Sequence, residues 1–222
     1  MDKHEKPDDK INAGDFSHWL EQITLTQKTN RGMDVPCGTC NACCKASYFI
    51  HIQPQETSTL SAIPKELLFP APGMPKGHMV MGYDKEGKCP MLIKDKCSIY
   101  NQRPFTCRNY DCRVFNVTGL KPEDKSKKEI LKQSDRWNFN KTSADENKIL
   151  NALKDAAHFL TIYADKFPVG FVPRNTTQQA ILAIKVYKVF LKSTQNLHKS
   201  AEKVLEEYVQ KVIDELNSFS DN

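Results

Sequence analysis

Eight cysteines crowd into residues 37–112 and none lies outside that interval. Four of them fall within eight positions, CGTCNACC (37–44), spaced C-x2-C-x2-C-C. After a gap of 44 residues the others follow as C-x7-C-x9-C-x4-C. Three chemistries compete for such a set. A disulfide framework is compatible with the even count, and eight cysteines allow 105 pairings. That solution suits small secreted domains, whereas residues 113–222 have no cysteine and carry apolar stripes of their own. Vicinal and C-x2-C pairs would also close very small rings, which constrain an unfolded chain little. A cycling dithiol at Cys37 and Cys40 has the right spacing, but it leaves six thiols without a role. Metal ligation uses all eight.

A C-x2-C turn brings two sulfurs to the same side of a tight loop, close enough to share one tetrahedral ion. Adjacent Cys43 and Cys44 diverge in strand or helix geometry. One is therefore expected to join Cys37 and Cys40, and the other to turn toward Cys89, Cys97, Cys107 or Cys112. The expected ligands are thus Cys37, Cys40, Cys43, Cys44, Cys89, Cys97, Cys107 and Cys112. They would hold either two Zn2+ in four-sulfur sites or a [4Fe–4S] cluster on C-x2-C-x2-C plus one remote cysteine. The triple has bacterial-ferredoxin spacing, but the next cysteine is adjacent instead of four positions on. The C-x3-C-x2-C spacing of radical AdoMet enzymes is absent. No residue is singled out as catalytic.

The remaining sequence divides around this block. Residues 1–14 are polar and read as a disordered tail. From Asp15 to about Gln27, Phe16, Trp19, Leu20 and Ile23 recur at helical spacing, so residues 15–115 are expected to form one cysteine-rich domain with an N-terminal helix. Within it, 47–52 reads as a strand and QETSTLSAI as a short helix, while the proline-rich stretch 64–77 reads as an irregular loop. HMVMGY and CPMLI are expected to pair as a hairpin across DKEGK, with Gly87 at a left-handed turn position. A second tight turn follows at KDK. Residues 116–142 are charged and read as a linker. From 143 the texture turns helical: Ile149, Leu150, Leu153, Ala156, Ala157, Leu160 and Tyr163 share one face. A second helix starts at TTQQ, and a third carries Val204, Leu205, Tyr208, Val209, Val212, Ile213 and Leu216, or continues the second. The fold class is α+β: a small metal-stapled, cysteine-rich domain followed by a helical hairpin or bundle over 143–222. Self-association or a protein partner on the last stripe is the competing use of those helices.

Charge and composition exclude more than they assign. The formal charge is +5, with Lys and Arg scattered; eight thiolates on two divalent ions would erase most of it, so nucleic acid is not an expected partner. No stretch has the apolar length of a membrane span. The first 15 residues lack the apolar core of a secretory signal, and the expectation is a cytoplasmic, bacterial-type protein.

The constellation Cys37, Cys40, Cys43, Cys44, then CPML (89–92), CSIYNQRPFTCR (97–108) and Cys112, resembles the YkgJ-like CxxCxxCC family of zinc- or iron-chelating domains. Its most specific part is C-x-I-Y-x-x-R-P-x-x-C-R, filled at every position here. The resemblance covers residues 37 to about 115. It implies zinc or iron as the bound metal. Some relatives are flagellin lysine N-methylases, so it implies as an alternative a metal- or Fe–S-dependent, AdoMet-using modifier of protein lysines. The chain shows no glycine-rich strand-to-helix segment for AdoMet. Tyr100, Arg103 and Arg108, lying among the ligands, are expected to offset buried negative charge, with an anion site on the two guanidinium groups as the other reading. His51 and His78 are expected at the core edge, with substitute ligation as the other reading; Tyr110 and Asp111 are expected as loop residues, with orientation of Arg108 or Arg113 by Asp111 as the other reading.

Overall fold

The computed structural model describes residues 10–29, 32–33, 35–122, 124–191 and 201–221. Its elements in chain order begin with strand β1 (Ile11–Asp15), helix α1 (Phe16–Thr29), β2 (Ile50–Ile52), α2 (Thr57–Ala62), β3 (Leu68–Pro70) and β4 (Met79–Met81). There follow β5 (Leu92–Ile93), β6 (Lys96–Cys97), α3 (Phe105–Arg108), α4 (Arg113–Thr118), α5 (Lys128–Arg136) and β7 (Trp137–Asn140). Helices α6 (Ala144–Ile162), α7 (Thr176–Val186), α8 (Lys188–Leu191) and α9 (Ala201–Asp221) complete the α+β chain. Among the described residues, no helix is long and apolar enough to cross a membrane.

The chain divides into two compact units. The first gathers residues 29–112 with 124–135 and holds all eight cysteines. Its sheet is three-stranded and antiparallel in the order β2-β4-β3, with Ile50 and Leu68 both opposite Met81. Strand alternation turns Ile50, Ile52 and Met81 inward, where they meet Ile63, Met91 and Ile99. Cys89, Cys97 and Cys107 pack against this same cluster. The thiols therefore sit at the rim of a small apolar core.

The second unit gathers, among the described residues, 10–28, 113–122 and 136–221. Strands β1 and β7 pair in parallel, Ile11 opposite Trp137. Phe16 and Trp19 of α1 pack on Phe139 of β7, with ring centroids 5.7 and 5.0 Å apart. Helix α6 opens with a capping box: Ser143 accepts from the Glu146 N–H, and the Glu146 carboxylate accepts from the Ser143 N–H at 3.1 Å. Asn175 caps α7 through the Thr177 and Gln178 N–H groups. Ala156, Ala157 and Leu160 of α6 meet Leu182, Ala183 and Val186 of α7 and Val212 of α9 in one buried cluster. Val209, Ile213 and Leu216 of α9 pack against it too, so the last apolar stripe is used within the chain.

Four expectations differ from this arrangement. Residues 1–9 of the expected tail lie outside the described residues, but Ile11–Asp15 form a strand, because Trp137–Asn140 supply a partner edge. Helix α1 groups with the helical unit and not with the cysteines; its Phe16 and Trp19 find Phe139, an aromatic residue hidden in the charged stretch read as a linker. That stretch contains α5 and β7, with Ile130, Trp137 and Phe139 buried, and its residues 124–135 belong to the cysteine-rich unit. The expected hairpin of HMVMGY with CPMLI does not form. Both edges of β4 are taken by β2 and β3, and Leu92–Ile93 pair locally with Lys96–Cys97. The junction between the second and third C-terminal helices, 192–200, lies outside the described residues.

Candidate metal centre

Each cysteine-bearing segment is held by a tight turn. Cys40 N–H donates to Cys37 O at 2.9 Å, so the two ends of C-x2-C are brought together across Gly38, whose φ is +56°. Cys43 and Cys44 lie in a single 3-10 turn (Ala42–Lys45), with Cys44 N–H bonded to Asn41 O at 3.0 Å. The next turn is laid alongside: Cys89 N–H donates to Cys44 O at 2.7 Å, and Ser47 N–H to Gly87 O at 3.0 Å. Gly87 takes φ +80°, the left-handed position expected for it. The β5–β6 hairpin turns on Lys94 and Asp95, both at positive φ. Its tip is tied back to the cysteine turn, Asp95 accepting from Asn41 Nδ2 at 3.1 Å and from Lys45 Nζ at 2.7 Å.

Cys107 arrives on α3, which starts immediately after Pro104. A buried carboxylate positions that start: Glu56 accepts from Gln53 N–H at 2.8 Å and from Phe105 N–H at 2.6 Å. Thr59 Oγ1 holds Gln102 O at 2.7 Å, and Thr106 Oγ1 holds His51 O at 2.7 Å.

The thiols so placed act on one another. The Cys44 thiol donates to the Cys43 sulfur, which with the peptide N–H groups of the pair and the nearby Arg103 guanidinium lowers Cys43 from 9.0 to about 7. Cys44 is pushed far up by the same hydrogen bond, by burial and by charge on Cys43, Cys89 and Cys107. Cys89 is raised by burial and by Cys97 and Cys43, while the Met91 and Leu92 N–H groups donate to its sulfur and oppose the rise. Burial, then Cys43, Cys89 and Cys97, push Cys107 up against the pull of Arg103. Five sulfurs, Cys43, Cys44, Cys89, Cys97 and Cys107, thus share one electrostatic field. The adjacent pair meets instead of diverging, because it lies in one 3-10 turn and not in the strand or α-helix on which that expectation rested.

Cys37 and Cys40 stand half-buried on their turn, and Cys112 is buried at the end of the unit. Tyr110 lies in the field of both Cys112 and Cys43, although burial is the main cause of its raised pKa. Of the eight cysteines, Cys43 is the exposed one. Among the described residues, no three His, Cys, Asp or Glu side chains stand as a ready set of metal ligands. The five thiols share a field without closing a ligand shell. In chemistry the donor set nevertheless fits zinc or iron: clustered soft sulfurs, one readily ionised thiol, peptide N–H groups aimed at a sulfur and a guanidinium alongside.

The residues between the cysteines resolve differently. Arg103 stacks over the Tyr100 ring at 3.9 Å and contributes its charge to Cys43 and Cys107. Arg108 stacks on Phe105 at 4.2 Å. His51 and His78 bond each other, Nε2 to Nδ1 at 2.8 Å, with parallel rings. Asp111 is buried. Reading by residue type missed Glu56, Asn41, Asp95, Tyr48 and Lys127. Glu56 had a legible half, its i,i+3 spacing from Gln53; its bond to Phe105 had none.

Residues 36–143 match the family model CxxCxxCC, described as "Putative zinc- or iron-chelating domain". No curated protein and no solved structure matches the chain.

Proposed function

From the match of residues 36–143 to the CxxCxxCC family, we propose that this chain is a metal-chelating protein. Its thiols hold zinc, or iron in an iron–sulfur cluster, with at least a structural role. The observation that carries this is the clustering of Cys43, Cys44, Cys89, Cys97 and Cys107 in one field, where Cys44, Cys89 and Cys107 are raised and Cys43 is lowered. Four like groups pressed together with a fifth are costly as thiolates unless a cation joins them, and metal binding expels their protons. Cys37, Cys40 and Cys112 complete the eight and would serve a second ion or the remainder of a four-sulfur shell. The thiols must stay reduced to ligate, which suits a cytoplasmic setting.

Metal content and a visible spectrum, taken on protein purified without oxygen and without a chelating tag, test the proposal. About two zinc per chain and no visible band supports two closed four-sulfur sites. Iron with inorganic sulfide and a broad visible band supports a cluster. Neither metal in stoichiometric amount overturns the reading.

One observation favours an enzymatic role as a second reading: Cys43 is exposed beside Arg103 and the exposed Tyr100. A shell with one solvent-facing ligand can exchange it, as a catalytic metal requires. Saturable AdoMet binding measured by calorimetry would favour a metal-dependent protein methyltransferase; no heat of binding would remove that reading.

A further inference from the structure

We propose that residues 124–127 form a lysine clamp, in which the buried ammonium of Lys127 fixes the turn carrying Cys43 and Cys44 and so governs how tightly the thiol cluster keeps its metal. The inference rests on the chelation reading above and assigns a positioning residue to it.

Lys127 is 8% exposed. Its Nζ donates to Ala46 O, two residues beyond Cys44, and to Ser126 Oγ at 3.0 Å, and it lies 4.0 Å from the centroid of the Tyr48 ring. Ser126 Oγ donates to the same Ala46 carbonyl at 3.3 Å. Asp124 pre-forms the donor turn, its carboxylate accepting from Ser126 N–H at 2.8 Å and its carbonyl from Lys127 N–H at 2.9 Å. The far end of the clamp reaches the last cysteine segment: Tyr48 and Tyr110 share a hydroxyl hydrogen bond of 3.1 Å, with ring centroids 5.5 Å apart, and Tyr110 stands two residues before Cys112. Ala46–Tyr48 is therefore gripped by Lys127 and Ser126 on one side and by the Ser47–Gly87 bond on the other.

A buried ammonium is costly unless partnered. Its partners here are a carbonyl, a hydroxyl and an aromatic face, while the Asp124 carboxylate stands 3.8 Å away and mostly exposed. A neutral side chain could fill the same space. What the lysine adds is a donor: with Ser126 Oγ, its Nζ holds the Ala46 carbonyl, a grip that a methionine of similar length cannot make.

The test compares full-length wild type with Lys127→Met and Lys127→Arg, each loaded with Co2+ and, separately, with Zn2+. Zinc transfer to a competing chelator gives a release rate, and the cobalt d–d and sulfur-to-metal bands report ligand geometry in the folded fraction. Lys127→Met should release metal about ten-fold faster, the lower end of what loss of a ligand-orienting residue costs. It should also shift the cobalt bands, with Lys127→Arg restoring most of both. Wild-type release and unshifted bands in Lys127→Met overturn the clamp, as does band loss only in proportion to the unfolded fraction seen by circular dichroism. If Lys127→Met does not fold, Ser126→Ala removes one of the two donors to Ala46 O; release two- to three-fold faster supports the clamp and an unchanged rate overturns it. A wild type that takes up neither ion overturns the chelation reading, and the clamp with it.

Discussion

The two units are stabilised by different means. In the helical unit, α6, α7 and α9 bring Ala156, Leu160, Ala183, Val186 and Val212 to complete burial, and Phe159, Tyr187 and Phe190 close over them. Helices of this length with matched apolar faces bury enough surface to fold on side-chain packing alone. Among the described residues, the cysteine-rich unit has strands of two or three residues, helices of four to nine and a cluster of six buried residues. Strands so short are marginal without further support, and three of the side chains around that cluster are thiols. Where regular structure is this sparse, local turns carry a larger share, and on the chelation proposed above a bound ion would add to them.

The sharpest way to break the comparison is to remove the metal. Chelation, or Cys107→Ser, should abolish amide protection across Ile50–Ile52 and Met79–Met81, because metal-binding free energy is folding free energy in such a unit. The far-UV dichroism of α6, α7 and α9 should survive. Hydrogen exchange read by mass spectrometry after dialysis against a chelator distinguishes the units directly. Retained protection in the sheet would mean that its six-residue core suffices and that the contrast is false.

The reciprocal experiment truncates the helical core. Leu160 is fully buried between α6 and its neighbours, so Leu160→Ala should cost about 2–5 kcal/mol in a denaturant titration. Metal content should not change. A variant that loses metal along with helix stability would show that the two units fold as one.

A smaller change inside the cysteine-rich unit tests whether turns carry the share assigned to them. Gly87 takes φ +80°, and a Cβ there would stand 2.3 Å from Ser47 Oγ. Ser47 can rotate aside, but the left-handed backbone remains, so Gly87→Ala should destabilise the metal-loaded unit by about 1–2 kcal/mol. Faster zinc loss to a chelator should accompany it, since Ser47 and Cys89 are anchored at this turn. An unchanged melting curve and release rate would assign the turn no such share.

How much was legible follows the same division. The helices from 143 onward were readable because a 3.6-residue apolar period is a local signal, and Leu153, Ala156, Ala157 and Leu160 are buried as that period requires. The cysteines announced their chemistry by residue type and spacing. What stayed hidden was non-local. Nothing in residues 78–93 says that β4 would be flanked on both edges, which is why the hairpin went to β5 and β6. Lys127 sits in a run of lysines, KSKKE, where composition cannot tell the buried ammonium from its solvated neighbours. The meeting of Cys43 with Cys44 depended on a 3-10 turn that the sequence CNACCK does not distinguish from a strand or helix start.

The gentlest probe is the cap of α6, because it should leave the cysteine-rich unit untouched. Ser143→Ala removes the acceptor for the Glu146 N–H and should cost about 1 kcal/mol, the usual worth of such a cap. Glu146 adds a pH signature. Its carboxylate accepts from the Ser17 hydroxyl at 2.6 Å and from the Thr142 and Ser143 N–H groups. These bonds, the Ser17 hydroxyl foremost, hold its pKa down from 4.5 to about 2. Because the folded value is the lower one, the stability that Glu146 contributes is present in full above pH about 4.5 and is lost as pH falls through about 2. Thermal melts of the helical signal across that window should therefore drift downward in wild type and be flatter in Glu146→Gln. The sheet of the cysteine-rich unit should show no difference between the two proteins at neutral pH. A Glu146→Gln profile as steep as the wild type would mean that other carboxylates set the acid response. The capping box would then be a local convenience, and the acid response of the helical packing would have to come from carboxylates elsewhere in the unit.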